Sequence, residues 1–541
     1  MSVCRVAYAF GLVLFLLAPL ALPFREVVQP EAWRWSSDDV ARITALAANT
    51  LGLAAGTVAC ATPLGLGLAV LLFRTAFLGR RFLLFLLALM LFVPLPVLVS
   101  SWQGFFGPDG FLPSAFWHNA AGRPWVSGLG AAIWIHTMWA VPWIAFIVGV
   151  GLTWVEPELE EEAAQSIGPW RVLLGVTLPR VRASIVAAAV FVALQTAGEV
   201  SVTEMMQVGT LAEETRAQFE RADRSGLART LLLALPALLV VWTTLGLLAM
   251  RLERTLPPLV PSARELRPLI LGPAWLRFAI GVMVIFALAA PLASLAWKLG
   301  LDSVPPRWDA ETARHFLHSE AIVNGLTMLQ SVGTALVTGL LIAVLALIGC
   351  WLARDARWLR GFLFAIAVWA WVMPASVVGI GLKELIQLLV EAWPTGPLTD
   401  ALYFAPSPLP VMWAQVLRML PIAIVFLWPV TRLMPSELFE EARLTGASVW
   451  TEFLLVVWPM TRRAMAVTAL AASALCVGEI AVSGRVETAG WRMFMGVLFN
   501  RMHTGADNTV AALSLLLLAT VAVLGLLLTA LVGTANLLRR T

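Results

Sequence analysis

The sequence has few charged residues, few lysines and few tyrosines. Charged residues make up 13% of the chain, about half of the roughly 25% that soluble globular proteins carry. Hydrophobic residues make up 60%, and 24 tryptophans stand against 2 tyrosines. This composition excludes an ordinary soluble enzyme and is typical of a protein with many membrane-spanning helices. The formal net charge of +4 is spread over short loops and does not indicate nucleic-acid binding.

Cysteine and histidine are scarce as well. The four cysteines and five histidines are scattered along the chain, without the short spacings of a zinc site or a disulfide framework. Only His315 and His318 lie three residues apart, and a pair this close is more often solvated than a ligand pair. We therefore expect no metal site and no catalytic residues of a membrane-embedded enzyme.

The two lysines exclude a phosphate-binding loop for ATP hydrolysis. Such a loop needs Gly-Lys followed by Ser or Thr, whereas Lys298 is followed by Leu299 and Lys383 by Glu384. We therefore expect a chain that is not an enzyme, has no ATPase site of its own and binds no cofactor.

Apolar runs bounded by charge, Pro or Gly predict an all-α membrane protein with about 12 transmembrane helices. The runs lie near 6–23, 45–73, 82–101, 128–152, 182–202, 229–250, 274–297, 323–352, 361–389, 410–431, 464–483 and 509–536. The first run could instead be a secretory signal peptide, although no clear cleavage site follows it. Lys and Arg are more frequent in the loops on the side of the termini, which predicts that both termini are cytoplasmic.

The two halves of the chain repeat each other, because four landmarks recur about 280 residues further on. Pro96 corresponds to Pro374, Pro142 to Pro421, Gly168 to Gly446 and Glu199 to Glu479. Each half has six predicted spans, so the copies share one orientation, and a pathway between them is expected. The predicted organisation is two six-helix domains, 1–250 and 273–541, joined by a proline-rich cytoplasmic linker, 251–272.

After the fourth and tenth spans, the chain enters a loop of charged, helix-forming residues. A proline opens each loop, Pro157 or Pro435, and acidic residues follow where they suit the positive end of a helix dipole. A glycine, Gly168 or Gly446, then permits a sharp turn before a second amphipathic stretch. Each loop is therefore predicted to form a short exposed helix parallel to the membrane, with small alanines that let a partner approach.

These loops resemble the EAA motif of ABC-importer permeases, in which Glu-Ala-Ala is followed by three residues and Gly. The matching residues are Glu162, Ala163, Ala164 and Gly168 in the first copy and Glu440, Glu441, Ala442 and Gly446 in the second. Glu441 stands where the motif has its first Ala, and the first loop is two residues shorter after its glycine. Asn49-Thr-Leu51 and Asn324-Gly-Leu326 also look like the family's pattern.

The resemblance implies a transport subunit with tandem permease domains in a bacterial inner membrane. It implies that both loops are coupling helices that dock into a separate cytoplasmic ATPase dimer, which consumes the ATP. It further implies a periplasmic substrate-binding protein that selects the cargo. The duplicated layout and the stretch 198–214 resemble ferric-iron permeases, which favours ferric iron as the cargo, with thiamine as the alternative.

Glu199 and Glu479 lie near the outer ends of corresponding spans. Charge inside a membrane segment is costly and marks pathways, so one interpretation is a translocation path or gate. The other interpretation is that each carboxylate only reaches the membrane interface. A secondary transporter that uses these glutamates as proton carriers is a competing function, but it does not explain the paired loops.

Overall fold

The computed structural model describes residues 1–75, 79–106, 127–221, 224–255, 274–302, 307–505 and 507–537, and helices dominate this part of the chain. The helices up to residue 255 are α1 Ser2–Leu12, α2 Ala18–Ala21, α3 Ser37–Arg74, α4 Arg80–Met90, α5 Leu95–Phe106, α6 Gly128–Leu152, α7 Pro157–Ser166, α8 Pro169–Val172, α9 Leu178–Ala197, α10 Ser201–Met205, α11 Leu211–Glu220 and α12 Arg224–Thr255. The later helices are α13 Ala274–Leu299, α14 Ala310–Arg354, α15 Arg357–Val372, α16 Ala375–Ala392, α17 Pro397–Thr399, α18 Leu409–Arg432, α19 Ser436–Leu444, α20 Val449–Glu452, α21 Trp458–Val477, α22 Phe494–His503 and α23 Asp507–Leu537. Two short strands, β1 Leu301–Asp302 and β2 Arg307–Trp308, pair antiparallel with Leu301 opposite Trp308.

Several of these helices are long and apolar enough to cross a membrane. Within the described residues, nine helices meet this standard, and two bent helix pairs bring the number to as many as eleven. The nine are Ser2–Val28, Ser37–Arg74, Gly128–Leu152, Pro169–Ala197, Gly226–Leu247, Ala310–Arg354, Leu409–Arg432, Val449–Val477 and Asp507–Leu531. The prediction of an all-α protein with multiple spans is thereby confirmed.

The number of spans and the domain boundaries stay predictions. The predicted span 274–297 coincides with α13, which does not belong to the nine. The predicted linker 251–272 begins inside α12, which continues to Thr255, and its remainder lies outside the described residues.

Capping residues set the starts of the two longest helices. Ser36 and Asp39 form a capping box at the start of α3, in which each side chain accepts a hydrogen bond from the other residue's backbone. The Asp309 side chain accepts a hydrogen bond from the backbone at the start of α14. Because the first turns are polar, the apolar runs 45–73 and 323–352 omit them, and both helices begin several residues before the predicted spans.

Two predicted spans, 82–101 and 361–389, are sharply bent helix pairs. α4 meets α5 at 107°, and α15 meets α16 at 108°. Pro374 stands at the break in the second pair, directly before α16, and Pro94 stands directly before α5. Proline removes a backbone donor and disfavours helical conformation in the residue before it. The structural counterpart of Pro374 is therefore Pro94 and not Pro96, which the sequence comparison had matched to it.

The order of elements from α3 to α12 recurs from α14 to α23, and we refer to these as the two copies. Each copy has a long helix, a bent pair, a spanning helix, a short helix (α7 or α19) and a further spanning helix that contains a π-helical turn. Because the helix is continuous through this turn, the spans predicted at 182–202 and 464–483 are the helices Pro169–Ala197 and Val449–Val477. We call the end of the bundle that carries α7 and α19 the short-helix side, and the opposite end the far side.

The helix that precedes each copy packs on the other copy. α1 and α2 contact α14, α15 and α16, and α13 contacts α4 and α5. The Tyr8 hydroxyl in α1 donates to the Leu345 carbonyl at 2.9 Å, and the Ser294 hydroxyl in α13 donates to the Ser101 carbonyl. The two copies are thus interlocked by their first helices.

Candidate functional site

A buried ion pair anchors the short helix α7 to the long helix α3. Arg74, the last residue of α3, binds Glu160 on α7, and the two side chains are 1% and 6% exposed. Thr177, at the end of the π-helical turn, donates a further hydrogen bond to Glu160 at 2.6 Å. Because breaking a buried ion pair leaves an uncompensated charge, this contact fixes α7 relative to two membrane-spanning helices.

The second short helix, α19, is anchored at the same place by different chemistry. Arg354, the last residue of α14, lies 3.9 Å from the centre of the Phe439 ring on α19. Beside it, Arg443 binds both Glu452 and Asp355 at 3.1 Å. Hydrogen bonds to Glu452 and then Asp355 raise the pKa of Arg443 above its usual value. In each copy, the final arginine of the long helix therefore holds the short helix.

The residues matched to the motif lie mostly on the outer surface of the short helices. Glu162, Ala164, Gly168, Glu440, Glu441 and Gly446 are exposed, and Ala163 and Ala442 are half-buried. The glutamate that anchors the first helix is Glu160, which the sequence comparison did not single out. Its only signal in the sequence is a run of three glutamates, 160–162. The helix buries the first of them on its inner face. The remaining motif surface is open to a partner.

The two glycines of the motif have different conformations. Gly446 has a φ of +78°, which a side chain rarely adopts, and it makes the predicted sharp turn. Gly168 has a φ of −66° and precedes α8, as Ser448 precedes α20. The prediction of a glycine-dependent turn is therefore right for Gly446 and wrong for Gly168. The length difference between the loops lies at this point, because the connection from α19 to α20 is longer than that from α7 to α8.

Glu199 and Glu479 face one cavity between the two copies. The cavity has a volume of about 170 Å³, and both glutamates line it together with Arg418. The helices α9 and α21 end at Ala197 and Val477, so both glutamates lie just beyond the helix ends. The sequence predicts instead that they lie inside the spans 182–202 and 464–483, and this prediction is wrong. The fold thus brings together two carboxylates from corresponding positions of the two copies.

Each glutamate caps the short segment that follows it. The donors are Ser201 N at 2.7 Å and Val202 N at 2.8 Å for Glu199, and Val482 N at 2.8 Å and Ser483 N at 3.0 Å for Glu479. These backbone groups have no partner within their own helical turn, so the carboxylates satisfy them as capping side chains do. Replacing either glutamate would therefore loosen the segment on the far side of the cavity.

The glycine before each glutamate allows the copies to pack closely. A Cβ atom at Gly198 would lie 3.2 Å from the Cα of Pro374, and one at Gly478 would lie 2.5 Å from the Cγ of Pro94. Each glycine therefore packs against the proline in the other copy's bent pair. The breaks in both bent pairs and both glutamates thus meet at the same cavity.

A histidine and an arginine add to the polar groups around this cavity. His136 Nε2 lies 3.5 Å from the Glu199 carboxylate, and the Arg418 guanidinium donates to the Met373 carbonyl at 3.3 Å. Where the structure describes the chain, no group of three or more His, Cys, Asp or Glu side chains is placed to hold a metal ion. The polar groups instead bind one another or the backbone.

A larger apolar cavity lies next to this one, lined by residues nearer the α19 end of α18. Its volume is about 380 Å³, and four residues line both cavities: Trp143, Phe191, Gln195 and Ile422. The centroid of the Phe191 ring lies 5.2 Å from that of Trp143 and 5.4 Å from that of Trp371. Two of these aromatic rings, Phe191 and Trp143, thus belong to the lining of both cavities. The sequence did not reveal them, because a tryptophan in an apolar helix equally indicates a core or a lipid-facing position.

No protein-family model matches this chain, and no curated protein matches it. The functional assignment therefore depends on the geometry of the short helices and the cavities and on the resemblance of the motifs.

Proposed function

We propose that the chain is the transmembrane permease subunit of an ATP-driven ABC importer. The observation that carries the proposal is the pair of short helices α7 and α19, each exposed on one surface and held on the other by the last arginine of a long helix. A partner that moves either short helix would move the long helix with it. The arrangement therefore suits a subunit that converts motion of a docked ATPase into motion of the membrane helices.

The proposed route for the solute runs between the two copies. In this proposal the solute passes from the 170 Å³ cavity at Glu199 and Glu479 to the 380 Å³ cavity, which shares Phe191 with it. In the proposed cycle, closure of the ATPase dimer on α7 and α19 would separate the far-side contacts, and reopening of the dimer would separate the aromatic rings. We assign Glu199 and Glu479 to the gate of this route.

The proposal fixes the surroundings of the chain. The short-helix side faces the cytoplasm, where the ATPase dimer consumes ATP, and both termini lie there. The far side faces the periplasm of a bacterial inner membrane and receives a substrate-binding protein. In this assignment, about 12 helices form two six-helix permease domains.

We propose ferric iron as the cargo, supported by the resemblance of the stretch 198–214 to ferric-iron permeases and by the two carboxylates at one cavity. Carboxylate oxygens suit hard cations. Thiamine is the alternative, and the aromatic lining of the larger cavity favours it, since aromatic faces attract organic cations.

The test is co-purification from the native membrane in mild detergent, with mass spectrometry and an ATPase assay of the eluate. We expect a stoichiometric ATPase with the parent chain, and loss of it when the exposed face of α7 is blocked by Ala164→Trp. The matched control is Arg357→Trp, an exposed position on the same side but outside both short helices. Retention of the ATPase by Ala164→Trp, or no ATPase with the parent chain, would overturn the assignment. Uptake of ferric iron and of thiamine by the reconstituted complex would then separate the two cargoes.

One observation favours a second candidate, a proton-driven secondary transporter. His136 Nε2 lies 3.5 Å from the Glu199 carboxylate in a buried position, and such pairs can carry protons. This candidate predicts uptake that survives ATP depletion and stops when the proton gradient is dissipated, whereas the importer predicts the reverse.

A further inference from the structure

The segment Glu479–Arg485 borders two cavities on the far side. At one end, Glu479 lines the 170 Å³ cavity between the copies. At the other end, Arg485 lines a polar cavity of about 390 Å³ together with Lys383 and Glu220. One short segment therefore contributes to the lining of both cavities.

The segment is bonded internally and makes a compact unit. The Glu479 carboxylate accepts two backbone hydrogen bonds from within the segment, and the Ser483 hydroxyl donates back to the Glu479 carbonyl at 2.8 Å. Val482 and Ser483 are buried. The unit rests against α16, where a Cβ atom at Gly379 would lie 3.0 Å from the Cγ of Arg485. The internal hydrogen bonds hold the segment in one compact arrangement.

An ion pair joins Arg485, the last residue of this segment, to the other copy. Arg485 binds the carboxylate of Glu220, the last residue of α11. Arg216, also on α11, binds Glu220 at 3.3 Å and Glu204 at 2.6 Å, which holds the acceptor in place. Partial burial would raise the pKa of Glu220, but the hydrogen bond from Arg485 and the charge of Arg216 hold it below its usual range. The pair is therefore charged at neutral pH.

We propose that the segment Glu479–Arg485 is the far-side gate and that the Glu220–Arg485 ion pair is its latch. The latch joins the two copies, so it holds only while they are close on the far side. Any motion that separates α11 from the segment breaks the pair and frees the gate. The proposal depends on the proposed function only in requiring that a solute path runs between the copies.

The proposal is tested by the accessibility of a cysteine behind the gate. Met419→Cys, on α18 and outside the segment Glu479–Arg485, places a thiol in the lining of the cavity between the copies. A membrane-impermeant maleimide is added to proteoliposomes that contain the full chain. Peptide mass spectrometry reads this site separately from the four native cysteines. Since both partners are partly exposed, loss of the pair is expected to speed labelling by up to about fivefold.

Glu220→Gln is the test variant, and Asp507→Asn is the matched control. Asp507 also pairs with a basic residue, Lys298, at 3.0 Å, but that pair does not involve the segment Glu479–Arg485. We expect faster labelling in Glu220→Gln, no change in Asp507→Asn, and slow labelling again when Glu220→Arg is combined with Arg485→Glu. High salt should speed labelling of the parent and leave Glu220→Gln unchanged.

Equal labelling in Glu220→Gln and the parent would overturn the proposal, as would the same increase in Asp507→Asn. Circular dichroism and gel filtration of Glu220→Gln show whether the variant folds. The labelling requires no ATPase, so the gate can hold while the importer assignment fails, and the two outcomes are distinguishable.

Discussion

Replacing Glu160 by Gln is expected to release the short helix α7 while the bundle stays folded. The change removes the charge that pairs with Arg74, whose side chain is 1% exposed, and it leaves that guanidinium buried without a counter-ion. Breaking a buried ion pair on one side typically costs about 3–5 kcal/mol. A free-energy change of about 1.4 kcal/mol is a factor of ten, so local opening of α7 should become at least about a hundredfold more frequent. The increase is limited by the free energy that keeps α7 closed in the parent chain.

Hydrogen exchange of the α7 backbone amides, read by mass spectrometry, measures this opening directly. The control is Glu156→Gln, because Glu156 and Arg180 form an ion pair at 3.4 Å next to the same helix, with both side chains about half exposed. An exposed pair contributes about 1 kcal/mol or less, so exchange in α7 should change less than about fivefold. Equal effects of Glu156→Gln and Glu160→Gln would refute the reasoning, as would a Glu160→Gln variant with unchanged exchange.

Three further changes test other parts of the structure. Gly446→Ala should destabilise the turn after α19 by about 1 kcal/mol, because Gly446 has a φ of +78°. Gly168→Ala, at an ordinary φ, should have little effect. Thermal unfolding of both variants in detergent checks this, and equal shifts in melting temperature would contradict it. Gly478→Ala should force the copies apart, because the new Cβ would lie 2.5 Å from the Cγ of Pro94. We expect this to lower the free energy of unfolding by about 1–3 kcal/mol, and an unchanged melting temperature would be the contrary result. Phe191→Ala should join the two cavities and allow solute to leak without ATP; an efflux assay in proteoliposomes measures it, and tight vesicles would contradict a route past Phe191.

The spans were predictable because burial in lipid demands long apolar runs, and such runs are visible in the sequence. The bends could not be predicted, although the sequence shows Pro94 and Pro374 inside the predicted spans. A proline alone does not determine whether a helix kinks or breaks. Non-helical backbone at membrane depth is tolerated only where protein or a cavity surrounds it. That condition depends on the Gly198 and Gly478 contacts from the other copy, which no local pattern shows.

The candidate site was predictable where it depends on local pattern and not where it depends on packing. The exposed motif residues and the matching positions of Glu199 and Glu479 followed from the repeat. The anchoring role of Glu160 did not, because its partner Arg74 is distant in the chain and the choice among three adjacent glutamates depends on which side of α7 faces the bundle. The place of Phe191 in the lining of both cavities was not predicted for the same reason.

The interlocked first helices have a consequence for biosynthesis. α2 packs on α16, which leaves the ribosome about 350 residues later, a delay of roughly 20 to 70 s at ordinary rates of protein synthesis. During that time α1 and α2 are in the membrane without the helices α14, α15 and α16 that they contact in the folded chain. In the same way, α5 is synthesised before α13, on which it packs. The first half therefore cannot complete its packing until the second half is inserted. A chain interrupted between the halves would have to find its missing partner by diffusion in the bilayer before either half reached its final structure.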